Sequence, residues 1–442
     1  MRINSKPARP KTHEGAPARN VNAEQQLRRS LLSCFLWEKE FYEDGVSIAK
    51  RIPENAAKCS TEFVAQLALQ ARHEYHIRHA SLWLAVSLLD KTRLAVVNDK
   101  GLIRHAIESV INRPDEMMEL VALYQKDGRK PIPKVLQRAL GGCFNKFDEY
   151  QFAKYDRPGK IKLRTLLDLV HAKPKNENQE MLFGRIMNNE LAVPDTWEAK
   201  VAAGKEDDKT LFTDLLKRKK LGYMATLRNL SRMLKAGVDI DLIKKSLDRQ
   251  PQRILPYRFI AAARYAPQLE RELDQGMQRV LANEERLSGR TILLVDVSRS
   301  MNSKLSVNSE MTRKDAASGL AVLLSGICEQ LRIFTFSEYI VEVPPRKGMG
   351  LVDAIEHSQR NWSTYLGRAV RSTFDHEADR LIVLTDEQSH DPVPNPKLEK
   401  SYMINVASNR YGVGYQPWVH IDGFSEATVK FIQALEKEVI EE

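Results

Sequence analysis

The sequence predicts an α-helical array of solenoid type followed by a doubly wound α/β domain. Three observations carry this. Apolar residues recur with helical spacing over roughly 260 residues, with strand signals nearly absent. After Ser288-Gly289 strands begin to alternate with helices, the order that builds a doubly wound sheet. Two of those strands, Ile292-Leu293-Leu294-Val295 and Leu381-Ile382-Val383-Leu384, lack period-2 alternation, as strands buried on both faces do.

In chain order, residues 1–22 carry five Lys/Arg, one Glu and three Pro with little apolar content, and read as a flexible basic tail. From Ala23 the helical period begins with Leu27, Leu31, Leu32, Phe35 and Leu36, and Asp44-Gly45 ends or bends that stretch. Helices are expected near 60–75, 78–91, 101–111, 114–127, 133–146, 161–171, 177–190, 207–220, 223–235, 239–248, 254–264 and 267–286. Short punctuation separates them, with prolines at 53, 114, 131, 158, 174, 194 and 256. Successive helices with short links build an array without a strict internal period. Strands are expected at 291–296, 331–336, 339–343, 381–385, 402–406 and 417–421. Helices are expected at 311–328, 350–358, 365–374 and 424–438. The domains are therefore 1–22, 23–286 and 287–442.

The composition, 43% hydrophobic and 29% charged, is that of a globular protein, and no apolar run approaches ~18 residues, so no membrane span is expected. There is no secretory h-region at the N-terminus. Cys34, Cys59, Cys143 and Cys328 lie far apart without a C-x-x-C pair, which argues against a zinc site or a disulfide framework and fits a reducing cytoplasm. The net charge of +10 is uneven. Residues 1–286 hold 51 Lys+Arg against 37 Asp+Glu, and residues 287–442 hold 17 against 21. That asymmetry suits a polyanion-binding front with a separate, weakly acidic module.

The first buried strand runs into Asp296-x-Ser298-x-Ser300, and the second ends on Asp386; Trp362-Ser363-Thr364 offers a third hydroxyl between them. Open α/β sheets place ligand sites at the carboxyl ends of their strands. Two carboxylates and three hydroxyls there make an all-oxygen set suited to Mg²⁺ or another hard divalent cation, with a position left for an outside ligand. Asp386 alone of the Asp386-Glu387 pair is expected to face the site, because adjacent strand residues point to opposite faces. No nucleophile-base pair accompanies the motif, so ligand holding is favoured over catalysis and no enzyme activity is expected.

Two basic stretches stand out upstream. Residues 154–175 hold seven Lys/Arg and two acids, with Leu163, Leu166, Leu167 and Val170 as a core face. Lys154, Arg157, Lys160, Lys162 and His171 then fall on or near the exposed side. Residues 217–235 hold seven Lys/Arg and no acid; Lys219 and Lys220 precede a stripe of Arg228, Arg232 and Lys235. Unpaired like charges on one face repel, so an anionic partner, phosphate foremost, is expected. His73, His76 and His79 step by three residues, which spreads them around a helix rather than onto one metal.

Several of these motifs together resemble a known family. Asp296-x-Ser298-x-Ser300, Thr364 and Asp386 are similar to the metal-ion-dependent adhesion site of von Willebrand factor A domains. Lys154-Tyr155-x-Arg157, Leu166-Leu167-x-Leu169-x-His171-x-Lys173-Pro174, Phe41-Tyr42-x-Asp44-Gly45 and Met224-x-x-Leu227-Arg228-Asn229-Leu230 resemble the TROVE module, in matching order. Gly423-Phe424 is similar to the family's C-terminal end. The pattern is that of the Ro autoantigen family and its bacterial relatives: a ring of HEAT-like helices followed by a von Willebrand factor A domain.

The resemblance implies binding of noncoding RNA, with misfolded 3′ single strands in the ring and Y-RNA-like stem-loops on its basic outer face. It assigns Lys154, Arg157 and His171 to Y RNA contact and Mg²⁺ to the Asp296 motif. It further implies a role in RNA quality control and a 3′ exoribonuclease such as polynucleotide phosphorylase as partner, in a monomeric, cytoplasmic ribonucleoprotein. Pro158-Gly159, and Tyr365 in place of an Asp, depart from the family pattern. The alternative reading is a metal-dependent protein-interaction module of the kind that assists AAA+ machines, with the helices as scaffold.

Overall fold

A computed structural model describes residues 11, 12, 14–17, 22–32, 45–74, 77–93, 99–126, 128, 129, 131–156, 161–192, 197, 200, 207–251, 254, 256–282, 285–305, 311–360, 362–407, 412–415, 417–423, 428, 429, 432, 433 and 436. The chain divides into two compact units, one of residues 49–206 and one that joins 1–48 to 207–442.

The described residues of the 49–206 unit form helices joined by short turns, with no strand among them. Its helices start where the sequence supplies a cap. Ser60 accepts the Phe63 N–H at the head of Thr61–His73, Asp99 accepts Leu102 N–H before Lys100–Val110, and Asn176 accepts Gln179 N–H before Glu177–Asn188. Each such cap satisfies a donor the helix leaves orphaned, worth about 1 kcal/mol. His171 and Asn189 close their helices in the left-handed conformation. Apolar positions at helical spacing turn inward, as Leu163, Leu166, Leu167 and Val170 do. Among the polar exceptions is Glu116, fully buried, which accepts two bonds from Arg72 (2.7 and 3.0 Å) and one from the Asn112 N–H (2.8 Å). Burying that carboxylate is tolerable because it is paired and bonded.

Two elements depart from the expected helices. Pro53, read as punctuation, lies inside the helix Gly45–Lys58. Pro removes one N–H, but Ile52 and Ala56 are fully buried, and tertiary packing carries the helix across it. Glu149–Tyr155 is an additional helix of 7 residues, too short for periodicity to reveal; a capping box between Asp148 and Gln151 starts it.

In the other unit the helices Asp208–Lys217, Tyr223–Lys235, Ile240–Leu247, Pro256–Tyr265 and Glu270–Leu281 precede a six-stranded sheet. Its strands are β1 (Leu287–Asp296), β2 (Cys328–Phe336), β3 (Ile340–Val343), β4 (Arg380–Thr385), β5 (Lys400–Asn405) and β6 (Val419–Asp422), in spatial order β3-β2-β1-β4-β5-β6. β3 runs antiparallel to β2, and all other pairs are parallel. Helices Arg313–Ile327, Gly348–Glu356 and Leu366–Ser372 cross between strands. One core layer gathers Ile292, Leu294, Phe336, Leu366, Val383 and Met403. Because β1 and β4 are parallel neighbours and the strand order reverses between them, their carboxyl ends form the topological switch point. Of the closing helix expected at 424–438, the described residues 428, 429, 432, 433 and 436 are helical.

The stretch read as a flexible tail is partly ordered. The Thr12 hydroxyl donates to Ser389 O (2.8 Å), Ala16 N–H reaches the same oxygen (3.3 Å), and Glu14 pairs with His390 at 3.0 Å. A low apolar content does not prevent docking when the loop after β4 offers a backbone acceptor and an imidazole.

Candidate functional site

Asp296 is the last residue of β1, and Asp386 follows the last residue of β4; both are fully buried. Asp296 Oδ1 accepts the Ser298 N–H (2.9 Å) and Oδ2 accepts the Thr385 hydroxyl (2.7 Å). The hydroxyls of Ser298 and Ser300 lie 3.2 Å apart, and Ser300 also bonds to Asp386. Burial first, and then the neighbouring Asp386 charge, push the Asp296 carboxyl up to about 7. Burial raises Asp386 as well, against the pull of Arg313. Thr364 is buried in the adjoining 362–365 segment. That segment is tied down by Arg299 N–H to Trp362 O (3.1 Å), the Ser337 hydroxyl to Ser363 O (2.9 Å) and His390 N–H to Thr364 O (2.9 Å).

Two groups here escaped sequence reasoning. Thr385 is hidden in an apolar strand. Arg313, the first residue of helix Arg313–Ile327, sends its buried guanidinium to Asp386 Oδ2 at 3.2 Å. No spacing signature marks an arginine seventeen residues beyond Asp296, and only the crossover helix brings it back. Among the described residues no three histidine, cysteine or carboxylate side chains are grouped to hold a metal. The donors here are instead two carboxylates and hydroxyls, a chemistry that fits a hard divalent cation. A cation at Asp386 Oδ2 would take the place of the guanidinium. Glu387, with φ of 60°, turns away to accept the Gly414 N–H (2.8 Å) and to bond His420.

The basic residues fall in both units. In the 49–206 unit, Lys162 is exposed at the N-cap of Leu163–Val170, and His171 is exposed at its C-cap. The Lys154 ammonium lies 5.7 Å from the Tyr155 ring centroid and 6.0 Å from that of Tyr150. Arg157 and Lys160 lie outside the described residues, as do His76, Phe41, Tyr42, Asp44 and Phe424. His79 pairs with Glu119.

In the other unit, Lys219 and Lys220 are exposed beyond Asp208–Lys217. Arg228, Arg232 and Lys235 line one depression of about 760 Å³. The expectation that this stripe lacks acids needs correction. Asp208, from the preceding helix, holds Arg232 in a bidentate pair at 2.6 Å on both arms, and Asp214 holds Arg218 at 2.7 Å. Counting charge within one helix missed acids that tertiary packing delivers. Arg228 and Lys235 remain exposed.

The TROVE domain model matches residues 11–190 and 184–334. Telomerase protein component 1 of Rattus norvegicus is 21% identical over 309 residues, 49% of this chain and 12% of that protein, and its Mus musculus counterpart is 22% identical over the same extent. The chain thus spans about an eighth of the length of these curated relatives. The crystal structure of the Deinococcus radiodurans RO (RSR) protein shares the fold, with a TM-score of 0.61 at 16% identity over 93% of this chain and 99% of that one. The helical region and the von Willebrand A-like α/β domain have their counterparts there. With well over half of its residues matched by the family model, the chain belongs to the TROVE domain family.

Proposed function

We propose that the protein is an RNA-binding, ribonucleoprotein-type component that holds structured noncoding RNA on its basic helices. The observation that carries this reading is the exposure of basic side chains on and beside helices within the TROVE match: Lys162 in one unit, with His171 exposed at the other end of its helix, and Lys219, Arg228 and Lys235 in the other. Cations at helix surfaces neutralise phosphates and release counterions, which supplies affinity without base readout. The finer reading is Y-RNA-like stem-loops on the basic face and single-stranded 3′ ends of misfolded RNA in a helical ring, in the service of RNA quality control. Lys154, Arg157 and Lys160 join that face in this proposal. No catalytic role is assigned.

The switch-point site is proposed to hold Mg²⁺ through Asp296, Ser298, Ser300, Thr364 and Asp386. The ion would supply an electrophilic anchor for a protein carboxylate, with a 3′ exoribonuclease such as polynucleotide phosphorylase as the partner class. Trp362, 60% exposed beside this site, favours a protein-docking face there, the core of the scaffold alternative.

Binding of a stem-loop RNA with a 3′ tail tests the reading. With six to ten phosphate contacts, affinity should fall by ~10³–10⁵ between 50 and 200 mM salt. Joint reversal, Lys162→Glu with Arg228→Glu, should weaken binding while leaving the circular dichroism unchanged. Absence of binding at low salt would remove the RNA reading and leave the docking scaffold.

A further inference from the structure

Within the 49–206 unit, helices Lys100–Val110 and Lys134–Cys143 pack together, and their first turns line a cavity of about 1060 Å³. Two stripes of identical spacing border it, Lys100 with Arg104 and Lys134 with Arg138, and Arg129 adds a fifth cation. No acidic side chain is among the described lining residues. Arg104 is engaged by Glu108 (2.7 Å) and Arg129 by Asp90 (3.0 Å). Lys100, Lys134 and Arg138 are exposed and make no ion pair among the described residues.

This arrangement works against local helix electrostatics. Both lysines occupy the first position of their helix, where the macrodipole is positive and a cation is disfavoured. The helix at Lys134 has no side-chain cap to soften that field. Natural sequences break such local rules chiefly where a function requires it. An anion in the cavity removes the conflict. The cavity also has an apolar floor, with Tyr124 and Ile132 both buried and the rings of Pro131 and Pro133 beside them. A simple carboxylate would leave that floor unused. A planar base fills it, and the guanidinium fork of Arg138 matches phosphate oxygens. The volume, about 1060 Å³, stands just past the upper end of small-molecule sites, roughly 300–1,000 Å³.

We propose that this cavity is a site for a nucleoside phosphate, its phosphate held by Lys100, Lys134 and Arg138 and its base on the Tyr124–Ile132 floor. The ligand is either a free nucleotide or an unpaired nucleotide of an RNA chain, and only the second form rests on the RNA-binding reading.

Calorimetry on the full chain with AMP, adenosine and inorganic phosphate separates the parts. AMP should bind at least roughly tenfold more tightly than either fragment, and the double variant Lys134→Ala/Arg138→Ala should lose about tenfold or more. If AMP does not bind, the RNA form remains to be met. A single-stranded oligonucleotide must then lose about tenfold in the variant while a blunt stem-loop keeps its affinity. The proposal is overturned if neither AMP nor the single strand responds to the variant, or if every polyanion weakens equally. Phosphate binding as tightly as AMP overturns it too, because the floor then recognises no base. Stem-loop binding that survives in the variant leaves the RNA reading standing whatever the cavity does. AMP binding by a protein that takes no RNA removes that reading alone.

Discussion

At Asp386, one carboxylate oxygen is claimed by the Arg313 guanidinium 3.2 Å away and would also be claimed by any divalent ion the Ser298 and Ser300 hydroxyls help to hold. Both carboxylates of the site are fully buried, so ionising either is costly without a counter-cation. Arg313→Met keeps most of the volume and removes the charge. In chelator the variant should be less stable than the parent by ~3 kcal/mol, the usual cost of stripping one partner from a buried pair. Mg²⁺ should restore much of that loss and raise the melting temperature of the variant more than that of the parent. Equal melting of the two proteins in chelator would show that Arg313 does not balance the pair. A second residue offers an independent check on core integrity. Burial pushes the Cys143 thiol up to about 12, so it should resist alkylation at pH 8 until the fold opens. Labelling of Cys143 in the native state, read by peptide mass spectrometry, would contradict its burial.

Among the elements, Tyr223–Lys235 shows how a neighbour changes the charge a helix presents. Asp208 neutralises Arg232 in a pair that is 41% and 35% exposed, so the pair contributes little stability, under ~1 kcal/mol. Asp208→Asn should therefore leave the melting point almost unchanged and strengthen RNA binding severalfold, because the depression beside Arg228 and Lys235 gains a net positive charge. Weaker binding by that variant would mean that the ion pair itself shapes the binding face. The same helix marks the limit of what its sequence discloses. Its buried side, including Leu227, Leu230 and Met233, follows from helical spacing, because period is a local property. The strands around Asp296 and Asp386 were equally legible, since runs such as Ile292–Val295 admit few alternatives to a doubly covered strand. Asp208 and Arg313 were not, because each enters its site from another element, and Thr385 was not, because its bond to Asp296 crosses between two strands. Glu149–Tyr155 was lost for a different reason: 7 residues carry less than two helical periods of pattern, and its signal lay in the Asp148–Gln151 box instead.

At the scale of the molecule, distant segments are tied into the unit that contains the sheet. Arg380, on β4, is buried and bound by Glu436, whose carboxylate also accepts Lys400 at 3.1 Å and Tyr402 at 3.0 Å. Burial alone would raise the Glu436 carboxyl, but Arg380 and Lys400 bring it below the ordinary range. A depressed carboxyl gives stability that is present above its unfolded value, about 4.3, and is lost as pH falls through the folded one. Glu436→Gln should lower stability at pH 7 and flatten the loss on acidification, and a variant with the acid limb of the parent would disprove the linkage.

Tighter still is the contact of helix Arg313–Ile327 with helix Pro256–Tyr265, where Gly319 lies so close to Tyr257 that an added Cβ would stand 3.0 Å from its side chain and 3.3 Å from its backbone. Arg264 of that same helix pairs with Asp315, the residue that closes the cap of Arg313–Ile327. The helix that delivers Arg313 to the switch point is thus held from behind by helices that precede the sheet in sequence. A fragment of residues 287–442 exposes the face around Gly319 and leaves Asp315 without Arg264, whereas 207–442 retains both contacts. The longer fragment should melt cooperatively at the higher temperature and the shorter should be less stable, more aggregation-prone, or both. Matching melting curves for the two would show that the sheet and its crossover helices form a self-sufficient core, and that the preceding helices contribute nothing to holding Arg313 in place.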